Sequence, residues 1–261
     1  LMMLWLVGGL TALCGALTYA ELGANLPRSG GEYNFLSSLY HPCTGFISGW
    51  ISATVGFAAP VALAAMTFGA YLSAVFPELS RTLAAVSLVT ILTLAHCVSR
   101  KASSSVQQIF TVLKLILIIL FCAVILIWGT SPQSLNFAPQ VGDEKLLFSG
   151  AFAVALIYVN YAYTGWNAAT YVTGEMNNPQ RSLPIILFIG TATVMALYLM
   201  LNFTFLSAAP ISSLEGKLEI GVIVADAALG NNAGKVMGAV LAVLLISTCL
   251  LYTSPSPRDK R

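Results

Sequence analysis

The chain has 261 residues, of which 57% are hydrophobic and only 8% are charged, and its formal net charge is +2. A soluble domain carries about 25% charged residues because its surface must be solvated. The composition therefore excludes a water-soluble fold and intrinsic disorder, and the small net charge excludes nucleic-acid binding. Five scattered cysteines do not form a disulfide framework. We predict an all-α polytopic membrane protein embedded in the lipid bilayer.

Long stretches without charge define the predicted membrane spans. A helix needs about 20 apolar residues to cross the hydrocarbon core, and these stretches are too long for barrel strands. Pro42 is expected to break the second stretch, so that Tyr33–Tyr40 lies along the interface or re-enters the membrane. No linker divides residues 1–248, which we predict to form a single transmembrane domain. About seven transmembrane helices fit: 2–22, 44–76, 82–99, 105–129, 146–174, 183–208 and 235 onward.

The two ends of the chain have unusual sequences. The chain begins within the first predicted span, with Leu1-Met2-Met3, so we expect an internal start or a missing N-terminal part. At the other end, an apolar helix over Val236–Thr248 changes abruptly into a Pro-rich segment. Residues 249–259 resemble the in-frame translation of a sequencing adapter. We therefore expect 249–261 to be a non-native tail, the alternative being a genuine Pro-rich cytoplasmic tail.

Lys114 is a charge deep within a predicted span. It lies about ten residues into that span, which corresponds to roughly 15 Å of helical rise. A lysine at membrane depth costs at least a few kcal/mol unless it faces a cavity or a partner. The structural alternative is a side chain that snorkels to the nearer interface. We favour a functional role, as a proton carrier or as a fixed charge in the position of a sodium ion.

The fifth predicted span has a polar and aromatic middle. Eight of the ten positions from Tyr158 to Asn167 are Tyr, Asn, Thr, Gly or Trp. This predicts a broken helix whose freed N–H and C=O groups face a cavity or a ligand. Because half-helix N-termini attract anions and unwound carbonyls attract cations, such a break suits a zwitterion. The alternative is a packing seam of aromatic and small residues.

Three motifs occur in a characteristic order along the chain. They are Pro27-x-Ser29-Gly30-Gly31-x-Tyr33, then Tyr163-Thr-Gly165-Trp166-Asn167, then Glu175-x-x-Asn178-Pro179-x-Arg181-x-x-Pro184. Gly30 and Gly31 permit a tight turn, and Ser182 is predicted to cap the following helix with Pro184 in its first turn. Together the motifs resemble those of the amino acid–polyamine–organocation superfamily, most of all its L-type amino acid transporter branch.

The resemblance implies a fold and a topology for residues 1–248. The family has twelve helices, ten of them in two inverted five-helix repeats (LeuT-like), and this chain corresponds to helix two through the opening of helix eight. Basic residues are divided equally between alternate loops, so the positive-inside rule does not orient the chain. The family topology places the loops at Pro27–Tyr33, Arg100 and Glu175–Pro184 in the cytoplasm.

The resemblance also implies roles for individual residues. The unwound stretch of the broken helix would be 161–165, with carbonyls that hold the substrate amino group. Tyr161 stands at an aromatic gate position, and Asn167 would be a polar pocket contact. Lys114 falls where many members have a lysine instead of a sodium site, and Thr164 replaces a commoner Gly. The substrate-binding set is then Tyr161, Ala162, Tyr163, Thr164, Gly165, Trp166 and Asn167.

The function implied is secondary active transport of amino acids by alternating access, as exchange or proton symport, in a plasma or inner membrane. Transport of polyamines or other organocations is one alternative, and an intramembrane enzyme using His41, His96 or the acidic residues is another. The sequence contains no metal-ligand set, phosphate loop or nucleophile–base pair, so no cofactor is predicted. It does not name an accessory subunit. Because the family's first helix would be absent, we expect the chain by itself to be inactive.

Overall fold

The computed structural model describes residues 1–98, 101–129, 133, 135 and 143–253. The regular elements of these residues are all helical. Among them, four helical stretches are long and apolar enough to cross a membrane: Met2–Asn25, Pro42–Val75, Gln108–Trp128 and Pro179–Ala208. This confirms an all-α polytopic membrane protein. The count of seven spans and the inverted repeat stay predictions.

The first of two compact units comprises residues 1–52 and 136–202. Its elements are α1 (Met2–Asn25), α2 (Glu32–Leu39), α3 (Pro42–Ile51), α7 (Asp143–Leu147), α8 (Gly150–Ala162), a 3₁₀ helix (Trp166–Glu175, the 3₁₀ segment) and most of α9 (Pro179–Ala208). Within this unit, α1 packs against α8 and the 3₁₀ segment, the two halves of the broken helix, and α2 packs against α3.

Small residues form the buried face of α1. They recur every three or four positions and therefore share one side of the helix. Without large side chains on that side, neighbouring helices approach closely, and α9 places Leu183 and Leu187 against Ala16 and Ala20. The buried residues of α1 are Gly8, Gly9, Ala12, Ala16, Ala20 and Gly23.

Pro42 separates α2 from α3, as the sequence predicted. His41 caps α3, because its Nδ1 accepts a hydrogen bond of 3.2 Å from the backbone N–H of Cys43. A Cβ atom built at Gly45 would collide with the Ser37 hydroxyl. Glycine at this position therefore allows α3 to lie directly on α2.

The predicted span 44–76 is not one continuous α-helix. A π-helical turn over Ser52–Gly56 separates α3 from α4 (Ala58–Val75). Pro60 lies in the first turn of α4 and has no N–H to donate to the carbonyl of Gly56, four residues earlier. The regular hydrogen-bond ladder is therefore interrupted here, and the wider π turn accommodates the interruption.

The second unit comprises residues 53–135 and 203–261. In its core, Ala64 and Ala65 of α4 meet Leu88 and Leu92 of α5. The sequence predicted no element between 208 and 235, yet α11 there is an apolar helix that packs on α12. Its ten residues are too few to cross a membrane. The elements are α4, α5 (Arg81–Val98), α6 (Lys101–Trp128), the end of α9, α10 (Ile211–Leu214), α11 (Ile220–Leu229) and α12 (Asn231–Thr253).

The last helix, α12, is longer than the predicted Val236–Thr248. It runs from Asn231 to Thr253 and so continues through the first five residues of the predicted tail. Residues 254–261 lie outside the described residues. The foreign origin of 249–261 stays a prediction.

The prediction that Ser182 caps α9 was wrong. The helix begins at Pro179, which follows Asn178 in a left-handed conformation with φ of 57°. The Ser182 hydroxyl lies inside the first turn and donates to the carbonyls of Asn177 and Asn178, at 3.0 and 3.1 Å. Proline is favoured at the first helical position because its missing N–H is not needed there. Pro179, not Pro184, occupies that position.

The contact between α4 and α5 generates a stability prediction. A Cβ atom at Gly69 would collide with the backbone carbonyl of Arg81, whereas one at Gly190 meets nothing within 4 Å. Because backbone cannot rotate aside, we expect Gly69→Ala to destabilise the protein by about 1–3 kcal/mol. Gly190→Ala, the matched control, should leave stability unchanged or raise it slightly. Thermal unfolding of the purified chain in detergent measures both, and equal midpoints for the two variants would contradict the expected collision.

Candidate functional site

The fifth predicted span is broken at the predicted place. The N–H of Tyr163 still bonds the carbonyl of Val159 at 3.2 Å, as in an α-helix. The N–H of Thr164 instead reaches the carbonyl of Tyr161 at 3.1 Å, one residue short of the α-helical register. Gly165 then adopts φ of 102°, which only glycine tolerates without strain. Residues 163–165 therefore form the break between α8 and the 3₁₀ segment.

The second half of the broken helix keeps 3₁₀ geometry over ten residues. Runs longer than about 3–4 residues are uncommon, because the hydrogen bonds of this helix are poorer than those of an α-helix. Two buried threonines support it, since the hydroxyls of Thr170 and Thr173 donate to carbonyls three residues earlier, at 2.7 and 3.0 Å. Side-chain donors thus supplement the weak backbone ladder.

Some carbonyls of the break already have hydrogen-bond donors. The carbonyl of Tyr161 accepts from the N–H and the hydroxyl of Thr164, the latter at 2.6 Å. The carbonyl of Ala162 accepts from the Tyr198 hydroxyl of α9 at 2.9 Å. The carbonyl of Gly165 accepts a hydrogen bond from the N–H of Ala168 at 3.1 Å.

The remaining polar groups of the break follow one another closely along the chain. Within the described part of the chain, no donor reaches the carbonyls of Tyr163 and Thr164. The N–H groups of Trp166 and Asn167, at the start of the 3₁₀ segment, likewise have no acceptor there. Two acceptors and two donors of the backbone are therefore available at one break in the helix. Exposed Tyr161 and Thr164 lie beside them.

The Tyr163 side chain fixes the break to α1. It is 3% exposed, and its hydroxyl donates to the carbonyl of Trp5 at 2.9 Å. The rings of Trp5, Tyr163 and Tyr198 pack against one another, with centroids 5.0 to 5.9 Å apart. This ring cluster can form because α1 has glycine where it meets Tyr163: a Cβ atom at Gly9 would lie 2.9 Å from the tyrosine hydroxyl.

Trp166 is a second packing residue. Its ring lies edge-on to Tyr19 of α1, with centroids 4.9 Å apart. Gly15 faces the same ring, since a Cβ atom there would lie 2.8 Å from it. The indole thus anchors the start of the 3₁₀ segment on α1, and it is the Trp166 backbone N–H that belongs to the polar break.

Asn167 contacts Glu32, a residue that the sequence analysis passed over. The Asn167 amide donates to one carboxylate oxygen of Glu32, and the Tyr171 hydroxyl donates to the other at 2.6 Å. The Tyr19 hydroxyl faces the same carboxylate. A signal was present in the sequence: Glu32 is an acid that directly follows Gly30-Gly31, in a chain with very few charges.

Lys114 lies in the middle of α6, in the second unit, and its side chain is partly buried. The structure thus joins the predicted residues 161–167 to α1, α2 and α9 within the first unit. Lys114 belongs to the other unit.

The fold and the break together define a class of protein: a polytopic helical membrane protein with a discontinuous helix that presents backbone acceptors and donors. Comparison with known proteins is more specific. The amino acid permease family model matches residues 1–255. The chain therefore belongs to the amino acid permease family.

Curated relatives agree with this assignment. The chain is 31% identical to the large neutral amino acids transporter small subunit 2 of Mus musculus over 241 residues, which are 89% of this chain and 45% of that protein. It is 29% identical to the b(0,+)-type amino acid transporter 1 of Homo sapiens over 234 residues, 87% of this chain and 48% of that protein. The chain spans about half the length of these relatives. They are transporters, not enzymes, so the alternative of an intramembrane enzyme is not favoured.

The bond from Tyr198 to the break generates the second prediction. We expect Tyr198→Phe to lower the free energy of unfolding by about 1 kcal/mol, because the carbonyl of Ala162 loses its donor. The matched control is Tyr158→Phe in α8, where the side chain is 73% exposed and has no described hydrogen bond. Thermal unfolding in detergent measures both variants. A Tyr198→Phe midpoint equal to that of the control would contradict the proposed anchoring.

Proposed function

We propose that this chain is part of a secondary active transporter that moves amino acids across a plasma or inner membrane by alternating access. The proposal rests on the break at 163–165, where two backbone carbonyls and two backbone N–H groups within five consecutive residues have no partner among the described residues, in a member of the amino acid permease family. The names of the two curated relatives, both amino acid transporters, support the substrate class.

The chemistry of the break suits both ends of an amino acid. An ammonium group is a donor only, and the carbonyls of Tyr163 and Thr164 would accept from it. A carboxylate is an acceptor only, and the N–H groups of Trp166 and Asn167, at a helix N-terminus, would donate to it. A polyamine carries no carboxylate and would leave these two donors unused. The arrangement therefore favours an amino acid over a polyamine.

Side chains at the break would complete the site. Tyr161 is 40% exposed and would act as the gate over the substrate. Asn167 uses its amide nitrogen on Glu32, which leaves the amide oxygen for a polar contact with the substrate. Gly165 supplies the backbone conformation that keeps the two halves of the helix apart.

Uptake into proteoliposomes by the transporter that contains this chain tests the proposal. A labelled amino acid should accumulate, and unlabelled amino acids should compete. Their methyl esters and N-acetyl derivatives should compete poorly, because each lacks one of the two charges that the break binds. Competition by polyamines but not by amino acids would favour the organocation alternative. Absence of uptake and of counterflow for every amino acid and polyamine would refute the function.

For coupling, we propose that Lys114 carries the proton or occupies the place of a coupling sodium ion. Burial of an ammonium group within a span is costly, and the partly buried position of Lys114 in α6 supports a functional role. Proton symport and exchange differ in their response to an imposed pH gradient, which the same liposomes measure.

We expect Lys114→Ala to reduce uptake or to change its pH dependence without preventing membrane insertion. The matched control is Lys217→Ala, which removes an exposed lysine of the same unit. Rates are compared between about pH 5 and pH 8, the range in which a proton carrier would titrate. If Lys114→Ala matches the wild-type rate throughout this range, Lys114 has only a structural role.

A further inference from the structure

The loop between α1 and α2 contacts the 3₁₀ segment at three successive points. The Ser29 hydroxyl accepts from the N–H of Gly174 at 3.0 Å. A Cβ atom at Gly31 would lie 2.6 Å from the Tyr171 ring, and φ of 51° independently favours glycine there. Glu32 then accepts from Asn167 and Tyr171. The loop thus runs antiparallel along one side of the 3₁₀ segment, from its end to its beginning.

The loop is itself held in shape before it reaches the 3₁₀ segment. The buried amide of Asn34 lies within 3.4 Å of the carbonyls of Leu26 and Arg28, across the turn. The Glu32 carboxylate stands in the first turn of α2, where the helix dipole stabilises a negative charge. The Glu32 carboxylate is therefore held in place as an acceptor for the donors of the 3₁₀ segment.

Glu32 is bound by neutral donors only, within the described residues: the amide of Asn167 and the phenol of Tyr171, with the Tyr19 hydroxyl close by. Hydrogen bonds to an ionised carboxylate are roughly twice as strong as bonds between neutral groups. They are also stronger in a partly buried site than in water. Glu32 thus supplies the strongest polar contact between the 3₁₀ segment and the rest of the unit.

The two sides of the break are held by different anchors. The end of α8 is fixed by Tyr163 on Trp5 and by Tyr198 on Ala162, through α1 and α9. The 3₁₀ segment packs on α1 and α9 through Trp166 and Ala169, and its polar contacts beyond its own residues are with the loop and with Glu32. Loss of Glu32 should therefore loosen the second half of the helix and leave the substrate-facing carbonyls of the first half in place.

We propose that Glu32 is a positioning residue that anchors the 3₁₀ segment and sets the rate at which the transporter changes conformation. The consequence for transport rests on the proposed function, whereas the anchoring does not. Glu32 contacts the amide nitrogen of Asn167 and makes no described contact with the backbone groups of the break, so we expect its larger effect on turnover and a smaller one on substrate affinity.

Hydrogen exchange of the purified chain in detergent tests the anchoring without any transport measurement. We expect Glu32→Gln to speed exchange of the amides in Trp166–Glu175 about tenfold, because a glutamine has one acceptor oxygen where two donors must be satisfied. Exchange in α9 should stay as in the wild type. Tyr171→Phe removes one of the two donors and should give a smaller increase in the same segment.

The matched control is Glu21→Gln. Glu21 is an exposed acid of α1 whose side chain has no hydrogen bond or ion pair in the described part of the chain. This substitution removes the same charge from the same unit and should change neither exchange nor transport. Glu32→Asp keeps the carboxylate and should restore part of the protection that Glu32→Gln loses.

Uptake by the corresponding variants of the whole transporter tests the consequence. We expect Glu32→Gln to change the maximal rate of uptake about fivefold or more while KM stays within about twofold. Loss of a positioning contact changes the maximal rate, whereas loss of a contact that only binds the substrate raises KM. If Glu32→Gln fails to insert, Tyr171→Phe carries the same test.

The outcomes are distinct. Equal exchange of the 3₁₀ segment in wild type and Glu32→Gln overturns the anchoring, whatever the transport result. Faster exchange with an unchanged maximal rate, or with a larger change in KM than in the maximal rate, overturns the role in turnover. Faster exchange in a protein whose wild type moves no substrate supports the anchoring and refutes the proposed function alone.

Discussion

The structure of the first unit depends on one constraint: inside a membrane, every backbone N–H and C=O needs a partner, because the hydrocarbon offers none. A continuous helix meets this constraint internally, and a break at 163–165 violates it. Partners must then come from elsewhere. Tyr198 donates to Ala162 from α9, and Thr164 donates to Tyr161 from within the break. The groups without a partner among the described residues are those that a zwitterionic ligand could satisfy.

The small residues of α1 follow from this constraint. A tyrosine can anchor the break only if its ring lies between the helices, and that requires space. Gly8, Gly9 and Gly15 provide the space beside Tyr163 and Trp166. In the sequence these glycines and alanines look like a general surface for helix packing. In the structure they are matched to particular aromatic rings, so the surface of α1 and the site are parts of one arrangement.

The long apolar helices and the helix break could be predicted from the sequence. The role of Glu32, the helix α11 and the start of α9 could not, for physical reasons. Absence of charge predicted the four long apolar helices, and a cluster of polar residues with Gly165 located the break, because both signals are local. Glu32 was missed because its partners are 135 and 139 residues away in sequence. The helix α11 was missed because ten apolar residues fall below the length of a span. The cap was predicted at Ser182 because proline is common in the first turn of a helix and Pro184 follows two residues later. The helix instead begins at the earlier proline, Pro179.

Residues 161–167, which the family resemblance assigns to substrate binding, do not all have the same role. Tyr163 and Trp166 use their side chains for packing on α1, and Ala162 gives its carbonyl to Tyr198. Tyr161 and the backbone of 163–167 are the groups that face a ligand in our proposal. Thr164 belongs to both groups, since its hydroxyl bonds the carbonyl of Tyr161 while its own carbonyl has no described donor. A glycine there, commoner in the resembled family, would have no hydroxyl to give to that carbonyl. In our proposal Thr164 therefore reduces the acceptors available to an ammonium group, so that this position would bear on substrate range through the backbone as well as through pocket size.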